Sequence, residues 1–322
     1  MRESLLFWPV SFKAGVIHIL DETKLPAKIT YIKVKNTREA VRAIRQMKTR
    51  AFGQFLVVLY SFMQVIEQNK GAAADTLLKK IKHTAAALNN SRPTFPFKEV
   101  TSIVVHRAEE FARNKQDISP NLRRNIEGYL TGIRFKRLER CCKIAALIKN
   151  GDAVLTHCNV SGELAMAAQL CRENKKFVSF YATETRPYLQ GARLTAWELK
   201  HAGFPITLIC DNAVGRLMRE GKVDKVIVGS DRSCANGDIA NKIGTYQMAV
   251  LAREFKVPFY VLSQPSKQTP CGKEIPIEMR SENELLSFNG KRIAPSGTRG
   301  LYPAFDVTPA KLITGTVTID VQ

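Results

Sequence analysis

The chain has 322 residues, 45% of them hydrophobic, which suits about two globular domains with a sizeable core. No window holds the ~20 uninterrupted apolar residues of a membrane span, and no signal-peptide pattern opens the chain, since Glu3 comes early and Trp8-Pro9-Val10 interrupts the only short apolar run. Seven cysteines without Cys-x-x-Cys or His-rich spacing argue against a disulfide framework or a structural zinc, and for a reduced cytoplasmic protein, while the net charge of +20 calls for a partner or a surface to account for it.

In chain order, Leu5–Trp8, Gly15–Leu20 and Ile29–Val34 are short β-rich runs that predict a small β element. Thr37 reads as the cap of a first helix. Helical patterns then continue to about Lys149, broken at Gly71, at Ser91-Arg92-Pro93-Thr94 and at Ser119-Pro120. Ile126–Ile148 keeps helical spacing and predicts a long helix leading into a second domain. After Gly151-Asp152 the rhythm changes. Strands are expected at Ala153–Thr156, Phe177–Tyr181, Ile206–Cys210, Lys225–Gly229, Pro258–Leu262 and Leu312–Thr316. Helices are expected at Gly162–Glu173, Arg193–Ala202, Ala213–Arg219 and Thr245–Phe255. This alternation predicts a Rossmann-like parallel sheet covered on both faces, an α/β domain over residues 151–322, after a mainly helical domain over 1–150 that starts with the small β element. No Gly-x-Gly-x-x-Gly follows the first strand of the sheet, so a nicotinamide dinucleotide is not implied.

The chemistry gathers at strand ends, where open α/β sheets bind their ligands. Cys158 follows one strand beside His157 and ahead of an expected helix, a place where a thiol can lose its proton more easily; an inert buried cysteine is the alternative. Asp231 follows another strand, as a helix cap or as a functional acid whose proton affinity burial would raise. Asn241-Lys242-Ile243-Gly244-Thr245 reads as a helix start able to hold an anion. Asp238, in Ala235-Asn236-Gly237-Asp238, reads as a loop-shaping residue. Arg50, Arg92, Arg186 and Arg193 lie near element boundaries, where guanidinium groups either bind phosphate or cover surface. The Glu184-Thr185-Arg186-Pro187 turn is functional or else pairs with backbone.

The positive charge is uneven. Residues 1–150 carry 28 Lys and Arg against 12 Asp and Glu, and the remainder 21 against 17. Such a half serves nucleic acid, an acidic partner or a phosphorylated substrate, or is a solvated surface. With no zinc-finger or RNP-type motif, a field that draws a phosphorylated substrate is the expectation, and nucleic acid is not. That field weakens as salt shortens the Debye length from ~10 Å at 0.1 M to ~3 Å at 1 M.

Several runs carry a resemblance. Thr156-His157-Cys158-Asn159, the stretch from Glu184 to Thr195 (ETRPYLQGARLT), Val228-Gly229-Ser230-Asp231-Arg232, Asn236-Gly237-Asp238, Asn241–Thr245 and Pro303–Pro309 resemble the methylthioribose-1-phosphate isomerases, and Leu20–Pro26 resembles that family's start. The wider superfamily includes ribose-1,5-bisphosphate isomerases and regulatory subunits of the eukaryotic initiation factor exchange complex. The resemblance implies Cys158 and Asp231 as catalytic residues, and Arg50, Ala51, Phe52, Arg92, Gln190, Asn241 and Lys242 as substrate-binding positions. It implies no metal or other cofactor, and a homodimer as the assembly. One departure stands out: where the family has Arg-Gly-Ala-Pro-Ala-Ile-Gly, this chain has Arg50-Ala51-Phe52-Gly53-Gln54-Phe55-Leu56. The implied reaction is the conversion of 5-methylthioribose 1-phosphate to its ribulose 1-phosphate. The alternatives are a ribose 1,5-bisphosphate or 5-deoxyribose 1-phosphate substrate, or a non-catalytic phosphosugar-binding regulatory subunit.

Overall fold

A computed structural model describes residues 3–92, 95–264 and 269–319. The chain divides into two units, Leu5–Phe135, and Met1–Ser4 with Lys136–Gln322. The division falls inside one helix, whereas the expected boundary at residue 150 lies just beyond that helix's end.

The first unit opens with an antiparallel sheet of β1 (Val10–Lys13), β2 (Val16–Leu20) and β3 (Tyr31–Val34), in that order. Leu5–Trp8 is not the strand its composition suggests. Leu6 and Phe7 are buried in a turn, and β1 begins only after Pro9, which cannot donate to a ladder. The β1–β2 hairpin closes on Ala14 and Gly15, both at positive φ, the conformation of a tight two-residue connection. Helices α1 (Thr37–Arg45), α2 (Ala51–Gln68), α3 (Ala74–Asn89) and α4 (Phe97–Arg113) follow. The cap of α1 is Asn36 rather than Thr37: its side chain accepts from Glu39 N, while Glu39 reaches back to Lys35 N and Asn36 Nδ2. The α2 helix is apolar nearly all round because it runs through the core, with Leu56, Val57, Phe62 and Ile66 buried alongside Ile17, Ile19, Leu88 and Phe97. One of its two buried amides, Gln64, donates to Gly15 O and Val34 O and so ties the helix to the sheet.

Helix α5 (Ile118–Leu147) starts ahead of Ser119-Pro120, so the break falls at Asn114–Asp117. A proline is tolerated in a first turn, where its missing N–H would have no partner in any case.

In the second unit, the sheet is built from β4 (Ala153–Thr156), β5 (Ser179–Thr183), β6 (Ile206–Ile209), β7 (Lys225–Val228), β10 (Phe259–Ser263) and β14 (Gly315–Thr318). All its pairings are parallel, in the order β14-β10-β7-β4-β5-β6. Helices α6 (Glu163–Glu173), α7 (Ala196–His201), α8 (Val214–Arg219) and α9 (Thr245–Glu254) alternate with the strands. Between β7 and α9 come β8 (Arg232–Ser233) and β9 (Ile239–Lys242), which join β13 (Phe305–Thr308) in a small antiparallel sheet. A short α10 (Glu282–Leu286) and the hairpin of β11 (Ser287–Phe288) and β12 (Lys291–Arg292) precede β13. The expected strands are present, with ends displaced by at most three residues. The largest change is at the last, where Leu312 belongs to a 3-10 turn. The helix expected at Arg193–Ala202 begins instead as a π turn over Gly191–Thr195. Ser4 belongs to this unit through hydrogen bonds to Met166 Sδ and Glu198. At the start of α6 a buried Glu163 takes Arg137 and Arg140 at 2.7 and 2.6 Å. Among the described residues no helix is long and apolar enough to cross a membrane.

Candidate active site

The chain leaves β4 towards β5 and β6, then returns to the other side of β4 to build β7, β10 and β14. Connections departing in opposite directions open a crevice at the carboxyl ends of β4 and β7. Cys158 comes two residues after β4 ends, and Asp231 three residues after β7 ends. The two loops are close: a Cβ on Gly229 would meet Val160 Cγ1 at 3.3 Å.

Cys158 is half-buried and holds φ at +63°, a left-handed conformation that costs a non-glycine residue about 1–3 kcal/mol. Its backbone is clamped on both sides. The amide donates to Thr185 Oγ1 at 3.0 Å, and the carbonyl accepts from Thr195 Oγ1 at 2.6 Å. Helix α6 begins only at Glu163, so the thiol is not in its first turn. Nor does His157 serve the thiol. Its ring lies 2.6 Å from Thr183 Oγ1 and 2.9 Å from Ile243 O, which commits both nitrogens.

Asp231 opens the small antiparallel sheet, its amide donating to Ala240 O at 2.9 Å. Asn241 and Lys242 end β9, and both are buried. Asn241 Nδ2 donates to Thr245 Oγ1, which donates to Lys242 O at 2.7 Å; Lys242 Nζ lies 4.9 Å from the centre of the Phe305 ring. The anion site expected at this helix start is already filled. Asp306, paired with Asn241 across β9 and β13, accepts from Gly244 N at 2.7 Å and Tyr246 N at 3.1 Å. Burial pushes the Asp306 carboxyl up to about 6 in spite of those amides. Asp238 shapes its loop as the sequence suggests, accepting from Gly272 N, Ala310 N and Asn236 Nδ2.

Gln190 is buried, and its side-chain carbonyl has no hydrogen-bond partner among the described residues. Such an atom costs free energy unless a ligand supplies a donor. The next residue must be glycine, since a Cβ on Gly191 would sit 1.8 Å from Thr183 O. In the Glu184–Pro187 turn, Arg186 points to backbone, its guanidinium 3.3 Å from Leu285 O, while its amide and that of Thr185 both donate to Asp211. Arg193 lies over the Tyr188 ring. Thr185, Thr195, Asp211 and Asp306 escape sequence reading because their role is to hold backbone, and Thr183 because it holds the His157 ring. The available signal was the threonine-rich stretch from Thr183 to Thr195.

In the first unit, Arg50 immediately precedes α2, and Ala51 and Phe52 form the helix's first turn. The buried carboxylate of Glu22 accepts from Arg50 N and Thr49 Oγ1, with Arg50 Nε at 3.9 Å. Burial pushes the Glu22 carboxyl up, against the pull of Arg50 and Thr49. Gly53 has to be glycine here, as its Cβ would fall 1.8 Å from that committed Thr49 hydroxyl. Phe52 meets Trp8 edge to face and stacks with Phe55. Arg92 donates to Gln54 Oε1 at 3.2 Å and lies over the Phe95 ring. Among the described residues, no three His, Cys, Asp or Glu side chains gather at a spacing suited to a metal ion.

Residues 54–319 match the sequence profile of the Initiation factor 2 subunit family. The chain belongs to that family. Within it, a methylthioribose-1-phosphate isomerase of Desulforudis audaxviator is 38% identical, over 99% of this chain and 93% of the relative. The protein of that name from Geobacter sp. (strain M21) is 37% identical over 97% and 94%. Among solved structures, the 5-methylthioribose 1-phosphate isomerase of Pyrococcus horikoshii OT3 matches with a TM-score of 0.84 at 32% identity, covering 97% of this chain and 90% of that one. The delta subunit of translation initiation factor eIF-2B from A. fulgidus matches with 0.82, also at 32% identity, over 97% and 94%. The family thus joins isomerases and initiation-factor subunits on one α/β fold.

Proposed function

We propose that this protein is an aldose–ketose isomerase that converts 5-methylthioribose 1-phosphate into 5-methylthioribulose 1-phosphate, a methionine-salvage step. The observation that carries the reading is a thiol and a carboxylic acid, Cys158 and Asp231, following the two strands that flank the switch point of the sheet. The names of its relatives at near-full length support it. With phosphate on C1 the sugar cannot open as a free hemiacetal does. Asp231 protonates the ring oxygen as its bond to C1 breaks, which leaves a cationic C1 still carrying phosphate. The C2 hydrogen then reaches C1 by one of two routes. It passes as a proton, taken by the Cys158 thiolate and returned through an enol phosphate, or as a hydride shifting directly from C2. In both, the C2 hydroxyl proton returns to Asp231 and C2 becomes the ketone. Arg50, Arg92, Asn241 and Lys242 are read as phosphate and hydroxyl ligands, beside Ala51 and Phe52. The open carbonyl of Gln190 is read as an acceptor for a sugar hydroxyl.

The nearly equal likeness to an eIF-2B delta subunit favours one second reading, a phosphosugar-binding regulatory subunit. Turnover separates the two. Incubation with 5-methylthioribose 1-phosphate, ribose 1,5-bisphosphate and 5-deoxyribose 1-phosphate, with ketose followed, should show the first consumed fastest; binding of all three without ketose would leave the regulatory reading. Cys158→Ser and Asp231→Asn should each abolish turnover while substrate still binds. The assembly is read as a homodimer, which sedimentation as a monomer at micromolar concentration would contradict. The compartment is read as the cytoplasm, in keeping with seven unbonded cysteines, and fractionation of cells checks it.

A further inference from the structure

The hydrogen bonds around His157 run in one direction. Ile243 O can only accept, so Nε2, 2.9 Å away, carries the ring proton. Burial pushes the imidazole below its usual range, with Lys242 acting the same way and Asp211 against it. The ring is therefore neutral, and its bare Nδ1 accepts from the Thr183 hydroxyl at 2.6 Å. With that proton committed, Thr183 offers only acceptors to Thr185, whose Oγ1 lies 3.3 Å from Thr183 Oγ1 and 3.4 Å from Thr183 O. Thr185 Oγ1 in turn accepts from the Cys158 amide. One end of this chain of bonds is the backbone that presents the thiol. The other is the carbonyl directly after Lys242.

Both ends are conformationally demanding. Cys158 is left-handed, and Gly244, one residue past Ile243, holds φ at +103° with the His157 ring 3.4 Å from where a Cβ would stand. Asp306 and Thr245 secure the turn through Gly244 N, Tyr246 N and Lys242 O. Only His157 joins that turn to the end of β4 among the hydrogen bonds described above.

We propose that His157 is a positioning residue, an imidazole cross-link that sets the backbone of Cys158 in register with the Asn241–Lys242 turn. What it positions rests on the isomerase reading; the cross-link itself does not, and the test separates them. His157→Leu keeps bulk and removes both bonds, whereas His157→Gln restores an N–H that reaches Ile243 O. On 5-methylthioribose 1-phosphate, the Leu variant should lose about 100-fold in kcat with a smaller change in KM, and the Gln variant should regain about tenfold, because displacing a reacting group by ~1 Å has effects of that size. In the substrate-free protein, amide exchange at Cys158, Gly244 and Tyr246 should quicken in the Leu variant and slow again in the Gln variant. A Leu variant that melts lower but keeps its kcat and its exchange rates would overturn the proposal, as would a Gln variant no better than Leu in both measurements. A wild-type protein inactive on every sugar phosphate would remove the isomerase reading, and the exchange measurement would still decide for or against the cross-link.

Discussion

The starts of α2 and α9 present the same physical problem with two solutions. Each helix begins beside residues read as phosphate ligands, Arg50 at one and Asn241-Lys242 at the other. In each, a carboxylate of the protein already occupies the electropositive end. At α2 it is Glu22, fully buried, holding one amide and the Thr49 hydroxyl. At α9 it is Asp306, less deeply placed, holding two amides. A helix end satisfied in this way has little left for an external anion. A phosphate is then read as meeting side-chain cations rather than helix amides. The two carboxylates differ in what depends on them: Glu22 supports a buried hydroxyl beside an arginine, and Asp306 supports only backbone.

That difference orders the expected effects. Glu22→Ala strands the buried Thr49 hydroxyl and removes the carboxylate beside Arg50, so unfolding should cost about 3 kcal/mol less. The chain has two tryptophans, Trp8 in the first unit and Trp197 in the second, so denaturant unfolding of a Trp197→Phe background reads the first unit by itself. A loss below about 1 kcal/mol would place Glu22 no deeper in its helix than an ordinary cap. Asp306→Ala should cost about 1–2 kcal/mol, the usual value of a helix cap, read from Trp197 in a Trp8→Phe background. If it matches Glu22→Ala, the contrast drawn between the two ends is wrong. The remaining effect is in pH. The folded value of Asp306, about 6, lies above the ordinary 3.8, so the folded chain holds the extra proton between them. Its contribution to stability is present below pH ~4 and is lost as pH rises through about 6. Wild type should therefore lose stability relative to Asp306→Asn between pH 4 and pH 7; parallel curves would show the carboxyl to be unperturbed.

Legibility followed the range of the interactions. The Lys225–Val228 strand could be read because a run of apolar residues closing on Gly-Ser-Asp is a local pattern, and so could the loop role of Asp238, two residues from Asn236 and Gly237. Leu5–Trp8 resembles a strand because burial in a turn and burial in a strand select the same residues, and only the ladder distinguishes them. Thr37 lost the cap to Asn36 on a difference of one position between two residue types that both cap well. The helix start at Asn241–Thr245 looks open in the sequence because Asp306, the residue that closes it, lies about 60 places further on.

The order of elements, the alternation that demands a parallel sheet and the arrival of Cys158 and Asp231 at strand ends all follow from the sequence, since each depends on neighbours within a few residues. Which strands lie side by side, and hence that β4 and β7 flank the switch point, was settled only in three dimensions. So were the commitment of His157 to Thr183 and Ile243, the open carbonyl of Gln190 and the two filled helix ends. Hydrogen bonds between segments 26 to 86 residues apart leave no periodicity in the chain, and burial decides their worth only after the fold has formed.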